Sequence, residues 1–459
     1  MKSLSDKINA KLDAQGGFLK AVSILVGGTV FAQGIAVISL PILTRIYSPK
    51  DFSLFAVYAS LLMILSVASC LRFEIAIPIP KEDSEATDLI LLALISNFFI
   101  SILIGLVIWL FHTDIIMLLN QPDFSKLIWL VPIGVFFAGI YNALQYWATR
   151  KKNFNLIAKT RIVQSVSGVS IQIIMGITGF LTIGLIIGQI VKVSAGIRRL
   201  ANNFWYDSFQ YVKNIEFKKL KDTFKRNDQF PKYSTFEALA NTASIQLPVI
   251  IIAALSIGSE AGYLMLAMQI MAIPMKLIGG AVSQVYLANA QDEIQKGTIK
   301  GYTVSLLKDL IKYGVSTLIL IGVISPLVVQ YIFGNDWSYV GILISYMIPW
   351  FIFQLLSSPI SMIMHIMGKQ KEILLLTVFG FFLKISALYV QYYIEPKYLL
   401  ENYAISSAIF YSICFFIFSK SAQLDLKSYI YLVKKTIPLL IFTSSLAILI
   451  VVVLRVFGL

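Results

Sequence analysis

Thirteen apolar stretches, each near the length of a membrane-spanning helix, recur along this chain of 459 residues. A helix needs about 20 consecutive apolar residues to cross the hydrocarbon core of a bilayer. The stretches lack the period-two alternation of barrel strands, which favours helices. They cover residues 19–43, 52–79, 87–111, 125–148, 156–178, 180–199, 234–257, 261–290, 311–333, 338–364, 370–394, 399–419 and 437–457. The sequence therefore predicts an all-α polytopic membrane protein.

The residue composition excludes several other classes of protein. Hydrophobic residues make up 58% of the chain and charged residues only 14%, whereas a soluble protein carries about 25% charged residues. The mixed polar segment 1–17 does not resemble a cleavable signal peptide. Cys70 and Cys414 lie far apart in apolar surroundings, and two cysteines with two histidines do not make a standard zinc site. No GxxxxGK[ST] motif is present, so we expect neither a P-loop for ATP nor a resident metal or cofactor.

The distribution of Lys and Arg predicts how the chain crosses the membrane. With the N-terminus in the cytoplasm, 31 of the 38 Lys and Arg residues fall in cytoplasmic segments and 5 fall in outer segments. This positive-inside bias predicts a cytoplasmic N-terminus, and an odd number of spans then places the C-terminus on the outer side of the membrane. The net charge of +14 is then explained by basic cytoplasmic segments beside the anionic membrane surface, and it requires no nucleic-acid partner.

Weak internal matches predict that the chain contains two lobes of six spans. Leu40-Pro41 matches Leu247-Pro248, and the segments that begin at Asp51 and Glu260 each open the next span. Six is an even number, so the two lobes have the same orientation, as in parallel transporter repeats that rock to give alternating access. The predicted domains are an N-lobe at 1–200, a basic linker at 201–232, a C-lobe at 233–420 and an extra C-terminal span at 421–459.

The linker between the lobes contains a basic segment with an apolar face. Phe217, Leu220 and Phe224 recur at helical spacing among lysines. This pattern predicts an amphipathic helix that lies on the cytoplasmic surface of the membrane. A solvated linker is the alternative.

Two lysines at membrane depth are the first candidates for a binding site. Lys276 and Lys384 lie near the middle of their spans, and no Asp or Glu lies at a comparable depth. A charge there costs about 2.5–3.5 kcal/mol on insertion scales unless it faces protein or water. Gln269, Lys276 and Ser283 share one face of a regular helix because they repeat every seven residues. We therefore predict a lumen lined by all four side chains that binds an anion such as a diphosphate.

A second candidate group lies at the end of the second predicted span. Tyr58, Ser69 and Arg72 share a face there, and the prolines at 78 and 80 end the helix. Arg72 is predicted to bind the diphosphate at the cytoplasmic mouth. Arg72 and Glu74 lie two residues apart, so they cannot face the same way on a regular helix, and we expect Glu74 to pair with Arg150 or Arg161. Glu74, Tyr58, Pro41 and Arg45 are predicted gate or mouth residues.

Several segments carry a family resemblance when they are taken in order. They are VGGTVFAQ (26–33), LPILTRIYSPKDFSLFA (40–56), RFEIAIPIPK (72–81), FPKYS (230–234) and IPMKLIGGAVSQVY (273–286). With these segments the chain resembles the O-antigen (Wzx-type) flippases and related polysaccharide exporters of the multidrug/oligosaccharidyl-lipid/polysaccharide (MOP) exporter superfamily, over essentially its whole length.

The resemblance implies a V-shaped bundle in the bacterial inner membrane, with a periplasmic C-terminus. It also implies that this bundle flips an undecaprenyl-diphosphate-linked oligosaccharide, such as an O-antigen or capsular repeat unit, from the cytoplasmic to the periplasmic leaflet. Expected partners are this lipid, the bilayer, and the polysaccharide polymerase with its chain-length machinery. The resemblance also implies coupling to H⁺ or Na⁺. The family pattern LAxR would place Arg at 269, whereas this chain has Gln269, and Lys276 replaces that charge in our interpretation.

Two other functions remain open from the sequence. A cation-coupled multidrug antiporter of the same superfamily would be expected to carry mid-membrane Asp or Glu, which this chain lacks. A membrane polysaccharide polymerase or ligase would need a catalytic surface on its outer loops. The outer loops are short, and they hold no paired carboxylates with a neighbouring base. We therefore expect a transporter rather than an enzyme.

Overall fold

The computed structural model describes residues 18–213, 216–256 and 258–456, and the N-terminal segment 1–17 lies outside them. Most of the described residues are helical, and none of them forms a strand. Among them, thirteen helices are long and apolar enough to cross a membrane, which confirms the predicted fold class and number of spans. They are Gly27–Ile46, Pro49–Ser69, Asp83–Leu110, Leu127–Arg150, Phe154–Ile177, Leu181–Lys213, Phe230–Leu255, Glu260–Gly279, Ile299–Phe333, Asn335–Met364, Gln370–Ile394, Pro396–Ser421 and Leu426–Leu454.

The chain forms two compact units, and the second contains a short piece of the N-terminal part of the sequence. The first unit ends at Tyr47, resumes at Leu54 and continues to Ile250. Its helices are α1 (Phe18–Ile46), α2 (Pro49–Ser69, from Leu54 onwards), α3 (Phe73–Ala76), α4 (Asp83–Leu110), α5 (His112–Leu119), α6 (Leu130–Arg150), α7 (Phe154–Ile177), α8 (Leu181–Ser194), α9 (Ile197–Lys213), α10 (Phe217–Arg226) and α11 (Thr235–Leu255, as far as Ile250). The predicted six-plus-six division of the spans stays a prediction.

The second unit contains Ser48–Ser53 and the chain from Ile251 onwards. Two π-helical turns, Met275–Gly279 and Leu310–Val315, connect successive helices without a loop. Gly334, with φ of 104°, ends one of the long helices in a conformation that favours glycine. The helices are α12 (Glu260–Pro274), α13 (Gly280–Gln295), α14 (Ile299–Asp309), α15 (Ser316–Phe333), α16 (Ser338–Ile360), α17 (Met362–Ile366), α18 (Gln370–Ile394), α19 (Leu399–Ser421) and α20 (Leu426–Val456).

The packed core of the first unit surrounds the connection from α2 to α4. Phe73, Ile77 and Trp147 are fully buried there. The ring of Trp147 meets that of Phe204 edge-on, with centroids 5.1 Å apart. Lipid tails are as apolar as these side chains, so close van der Waals packing of this kind, and not the hydrophobic effect, stabilises helices against each other in a bilayer. This core supports the short segment that carries Arg72 and Glu74.

The second span is shorter than the predicted stretch 52–79. Helix α2 ends at Ser69, and the chain then turns through Leu71 and Arg72, whose φ angles are 50° and 60°. A non-glycine residue in this left-handed region costs roughly 1–2 kcal/mol, so the surrounding core must hold the turn. The prediction that Tyr58, Ser69 and Arg72 share one helix face is wrong because Arg72 lies beyond the helix.

Candidate functional site

The left-handed turn brings Arg72 and Glu74 together. Nη1 of Arg72 lies 3.4 Å from Oε1 of Glu74, so the two side chains form an ion pair. The expectation that their spacing disfavours a pair is wrong, because it assumed a regular helix through both residues. The turn before α3 changes the direction of the backbone, and both side chains then point to the same side.

The Arg72–Glu74 pair lies between solvent and the core. Side-chain exposure is 26% for Arg72 and 6% for Glu74. Burial raises the pKa of the Glu74 carboxyl to about 7, and the positive charge of Arg72 offsets only part of this effect. Nε of Arg72 and Oε2 of Glu74 are buried without a hydrogen-bond partner. The Arg72 side chain is thus partly exposed, and an anionic group that reached it could accept a charge-assisted hydrogen bond.

Arg150 and Arg161, the two expected partners of Glu74, bind elsewhere. The guanidinium of Arg150 donates to Oδ1 of Asp83 at 3.0 Å and to the carbonyl oxygens of Ile77, Pro80 and Lys81. Arg161 donates to the hydroxyl of Thr29 at 2.5 Å. Arg150 therefore fixes the segment that follows Glu74, and the predicted pairing of Glu74 with either arginine is wrong.

The basic linker segment forms a helix, as predicted, and packs against this part of the first unit. The ring of Phe224 in α10 contacts that of Phe73 with centroids 5.5 Å apart. Thr223 donates to Asp88 at 3.3 Å, and Arg226 lies 3.5 Å from Glu85. These contacts place α10 beside the turn that carries Arg72. Its contact with a membrane surface stays a prediction.

Lys276 lies on an interruption of its helix. It is exposed in the π-helical turn Met275–Gly279, which joins α12 to α13 directly after Pro274. Proline lacks the N–H that an α-helix needs at this position, which accounts for an interruption here. Single π-helical turns inside α-helices occur frequently at functional sites. The predicted lumen-facing lysine is thus exposed and lies on such a turn.

The two other residues of the predicted face differ from Lys276. Gln269 is partly buried. Ser283 is also partly buried, and its hydroxyl donates to the carbonyl oxygen of Gly279 at 2.8 Å. The prediction of a common face assumed a regular helix, and the π-turn changes the angular spacing on both sides of Lys276. Their roles in substrate binding stay predictions.

Lys384 lies against a neighbouring helix of the second unit. Its Nζ is 5.2 Å from the centre of the Phe410 ring, a distance that permits a cation–π interaction. Phe410 belongs to α19. The surroundings of Lys384 therefore include an aromatic face within its own unit, and a role for it in substrate binding stays a prediction.

The three remaining predicted gate residues occupy different environments. Tyr58 is fully buried, and its hydroxyl donates to the carbonyl oxygen of Leu130 at 3.3 Å. Pro41 lies inside α1, where its carbonyl oxygen accepts a hydrogen bond from Thr44. Arg45 is exposed in the last turn of the same helix. The structure thus gives Tyr58 a packing role, and the assignment of all three to a gate stays a prediction.

A family model described as "Polysaccharide biosynthesis protein" matches residues 42–341. The chain belongs to this family. No curated protein sequence matches it. The matched region contains Arg72, Glu74 and Lys276, so both candidate groups lie in the part of the chain that the family shares.

Solved structures with low sequence identity share the fold. "Lipid II flippase MurJ, inward closed conformation" has a TM-score of 0.70, with 12% identity over 91% of each chain. An inward-facing multidrug resistance MATE family transporter of the MOP superfamily has a TM-score of 0.58, with 12% identity over 88% of this chain and 98% of that one. A MOP superfamily transporter from Pyrococcus furiosus has a TM-score of 0.52, with 12% identity over 88% and 97%. The predicted MOP-type fold is confirmed.

Proposed function

We propose that this protein flips a lipid-linked oligosaccharide, an undecaprenyl-diphosphate-linked O-antigen or capsular repeat unit, from the cytoplasmic to the periplasmic leaflet of a bacterial inner membrane. The main support is the fold shared with a lipid II flippase over nine-tenths of both chains. Membership of the polysaccharide biosynthesis family supports a saccharide cargo. The cargo consists of a lipid tail, an anionic diphosphate and a polar glycan.

The charged residues support a route for the anionic part of this cargo. Arg72 is a partly exposed cationic side chain in the first unit. Lys276 is an exposed lysine on its π-turn in the second. We propose that the diphosphate binds first at Arg72 and then at Lys276 as the two lobes alternate in access. The membrane potential contributes about 2.3 kcal/mol per charge per 100 mV, and its sign favours outward movement of an anion.

Substitution of Lys276 tests this route in living cells. In a strain that lacks this gene, lipid-linked repeat units should accumulate and surface polysaccharide should be lost. Lys276→Arg should restore surface polysaccharide, because it keeps the positive charge. Lys276→Ala should restore it poorly. Lys371→Ala, at an exposed lysine of the same unit, is the matched control and should behave like the wild type.

The amount of each variant in the membrane should be measured, so that a loss of protein is distinguished from a loss of transport. Full restoration of surface polysaccharide by Lys276→Ala at normal abundance would contradict a role for Lys276 in this route.

A multidrug antiporter is the second candidate function, because the fold is also that of MATE transporters. That function predicts higher sensitivity to cationic drugs in the deletion strain with no accumulation of lipid-linked saccharide.

A further inference from the structure

A groove lies beside the hairpin of helices α13 and α14 in the second unit. Its volume is about 390 Å³, which falls in the range of about 300–1,000 Å³ that is typical of ligand pockets. Residues of both π-helical turns, Met275–Gly279 and Leu310–Val315, contribute to its walls. Most of the lining side chains are apolar, among them Ile278, Val282, Leu306 and Leu310. The groove therefore suits a hydrocarbon chain.

Contacts between the two helices hold this groove in shape. The rings of Tyr286 in α13 and Tyr302 in α14 stack with centroids 5.6 Å apart. The hydroxyl groups of Tyr286 and Thr303 share a buried hydrogen bond of 2.9 Å. The hydroxyl of Tyr302 also donates to the carbonyl oxygen of Val285 at 3.4 Å. Because Val285 and Tyr302 both line the groove, these contacts fix the separation of its two walls.

The position of the groove along its spans places it near one surface of the membrane. Helix α15 has 18 residues and is therefore about 27 Å long, whereas the hydrocarbon core of a bilayer is about 30 Å thick. The π-helical turn that precedes α15, together with Asp309, thus lies near the boundary between hydrocarbon and headgroups. The predicted topology makes this boundary the cytoplasmic one.

Two opposite charges stand at this end of the groove. Asp309 lines the groove and is exposed. Lys312 is also exposed, and its ammonium lies 5.0 Å from the centre of the ring of Tyr313, which lines the groove too. Residues three apart on a helix often form an ion pair. Among the residues that the structure describes, however, neither Asp309 nor Lys312 has an ion-pair partner. Both charges are therefore available to a bound molecule.

Phospholipids differ in how well they match an apolar groove with one negative and one positive charge. An ethanolamine headgroup carries a phosphate for Lys312 and a primary ammonium, whose N–H groups can donate charge-assisted hydrogen bonds to Asp309. A choline headgroup has the same charges but no N–H to donate. A glycerol headgroup supplies the phosphate alone, and the carboxylate of Asp309 repels it.

We propose that this groove binds a phospholipid with an ethanolamine headgroup. One acyl chain lies along Ile278, Val282 and Leu306, the phosphate binds Lys312, and the ammonium donates to the carboxylate of Asp309. The ligand is a lipid of the surrounding bilayer and not the cargo, so the proposal does not depend on the flippase function. Its failure would leave the flippase proposal unchanged.

The test measures lipid binding to the purified full-length protein in detergent by native mass spectrometry. The probes are phosphatidylethanolamine, phosphatidylcholine and phosphatidylglycerol with identical acyl chains, and undecaprenyl phosphate. The wild type should bind phosphatidylethanolamine about threefold to fivefold more tightly than the other two phospholipids, as expected for a charged contact near the surface. Asp309→Asn should remove this preference. Asp292→Asn, at an exposed aspartate of α13, is the matched control and should keep it.

A second variant keeps the test decisive if Asp309→Asn does not fold. Val282→Trp fills the groove and keeps both charges, so it should also remove the preference for phosphatidylethanolamine. Leu374→Trp, at an exposed position of α18 in the same unit, is its control and should bind like the wild type. Melting temperatures in detergent should show that each variant is folded.

Three results would overturn the proposal. Equal affinity of the wild type for the three phospholipids would show that the groove does not read the headgroup. A preference for phosphatidylethanolamine that persists in both Asp309→Asn and Val282→Trp would place its binding site elsewhere. Undecaprenyl phosphate that binds more tightly than every phospholipid, and loses this advantage in Val282→Trp, would assign the groove to the prenyl chain of the cargo.

Discussion

Replacement of Glu74 by Gln should make the thermal stability of the protein less dependent on pH. Burial raises the pKa of this carboxyl from 4.5 to about 7. Each pKa unit corresponds to 1.36 kcal/mol, so the shift amounts to about 3 kcal/mol. Glu74 is only 4% exposed, so solvent screening reduces this figure little.

The sign of the effect follows from the direction of the pKa shift. Between about pH 4.5 and pH 7 the folded protein holds a proton on Glu74 that the unfolded chain has released. The contribution to stability is therefore complete below pH 4.5, and it is lost as the pH rises through 7. Glu74→Gln keeps a neutral side chain of similar shape, and it should not lose this contribution at higher pH.

The assay is a set of melting curves in detergent from about pH 5 to about pH 8, at one scan rate because membrane proteins often unfold irreversibly. The wild type should lose more stability than Glu74→Gln over this range, with a difference approaching 3 kcal/mol. Glu82→Gln, at an exposed glutamate of the same connection, should follow the wild type. Parallel curves for wild type and Glu74→Gln would refute the reasoning that burial controls this carboxyl.

Two further substitutions test the packing of each unit. Arg150→Ala should destabilise the first unit by about 3 kcal/mol, because Arg150 bonds Asp83 and three carbonyl oxygens. Lys159→Ala, at an exposed position, is the control and should leave the melting temperature unchanged. Equal melting temperatures of Arg150→Ala and Lys159→Ala would contradict the predicted role of Arg150. Gly262→Ala should cost the second unit about 3 kcal/mol, since a Cβ there would overlap the backbone of Pro49 and Ser53. Gly301 has open space around it, so Gly301→Ala is the control and should be neutral or stabilising. An unchanged melting temperature for Gly262→Ala would show that the backbone at Gly262 can move away from that of Pro49 and Ser53.

The number and type of the spans could be predicted because apolar runs of this length have few structural alternatives in a membrane. The turn at Leu71 and Arg72 could not, since neither residue is glycine or proline and the apolar run continues past them. Hydrogen bonds from Arg150, which is distant in sequence, help to hold the connection after this turn. The ion pair of Arg72 with Glu74 depends on this turn, so it could not be predicted either.

Other parts of the fold and of the candidate sites differ in how far the sequence shows them. Lys276 could be named as a candidate from the sequence because a charge in an apolar span is conspicuous. The burial of Glu401 could not be predicted, because acidic residues near helix starts are common on exposed surfaces and sequence alone does not show burial. Its hydrogen bond to Tyr339 joins residues 62 positions apart.

Reconstitution of the purified protein tests the proposed function most directly. Proteoliposomes should contain undecaprenyl-diphosphate linked to a labelled oligosaccharide, and an added glycosidase that cannot cross the bilayer should report which leaflet holds the label. With this protein present, label that was initially protected should become accessible over time, and Lys276→Ala should slow the process. Protected label that stays at the level of protein-free liposomes, with correctly folded protein in the membrane, would contradict the proposal.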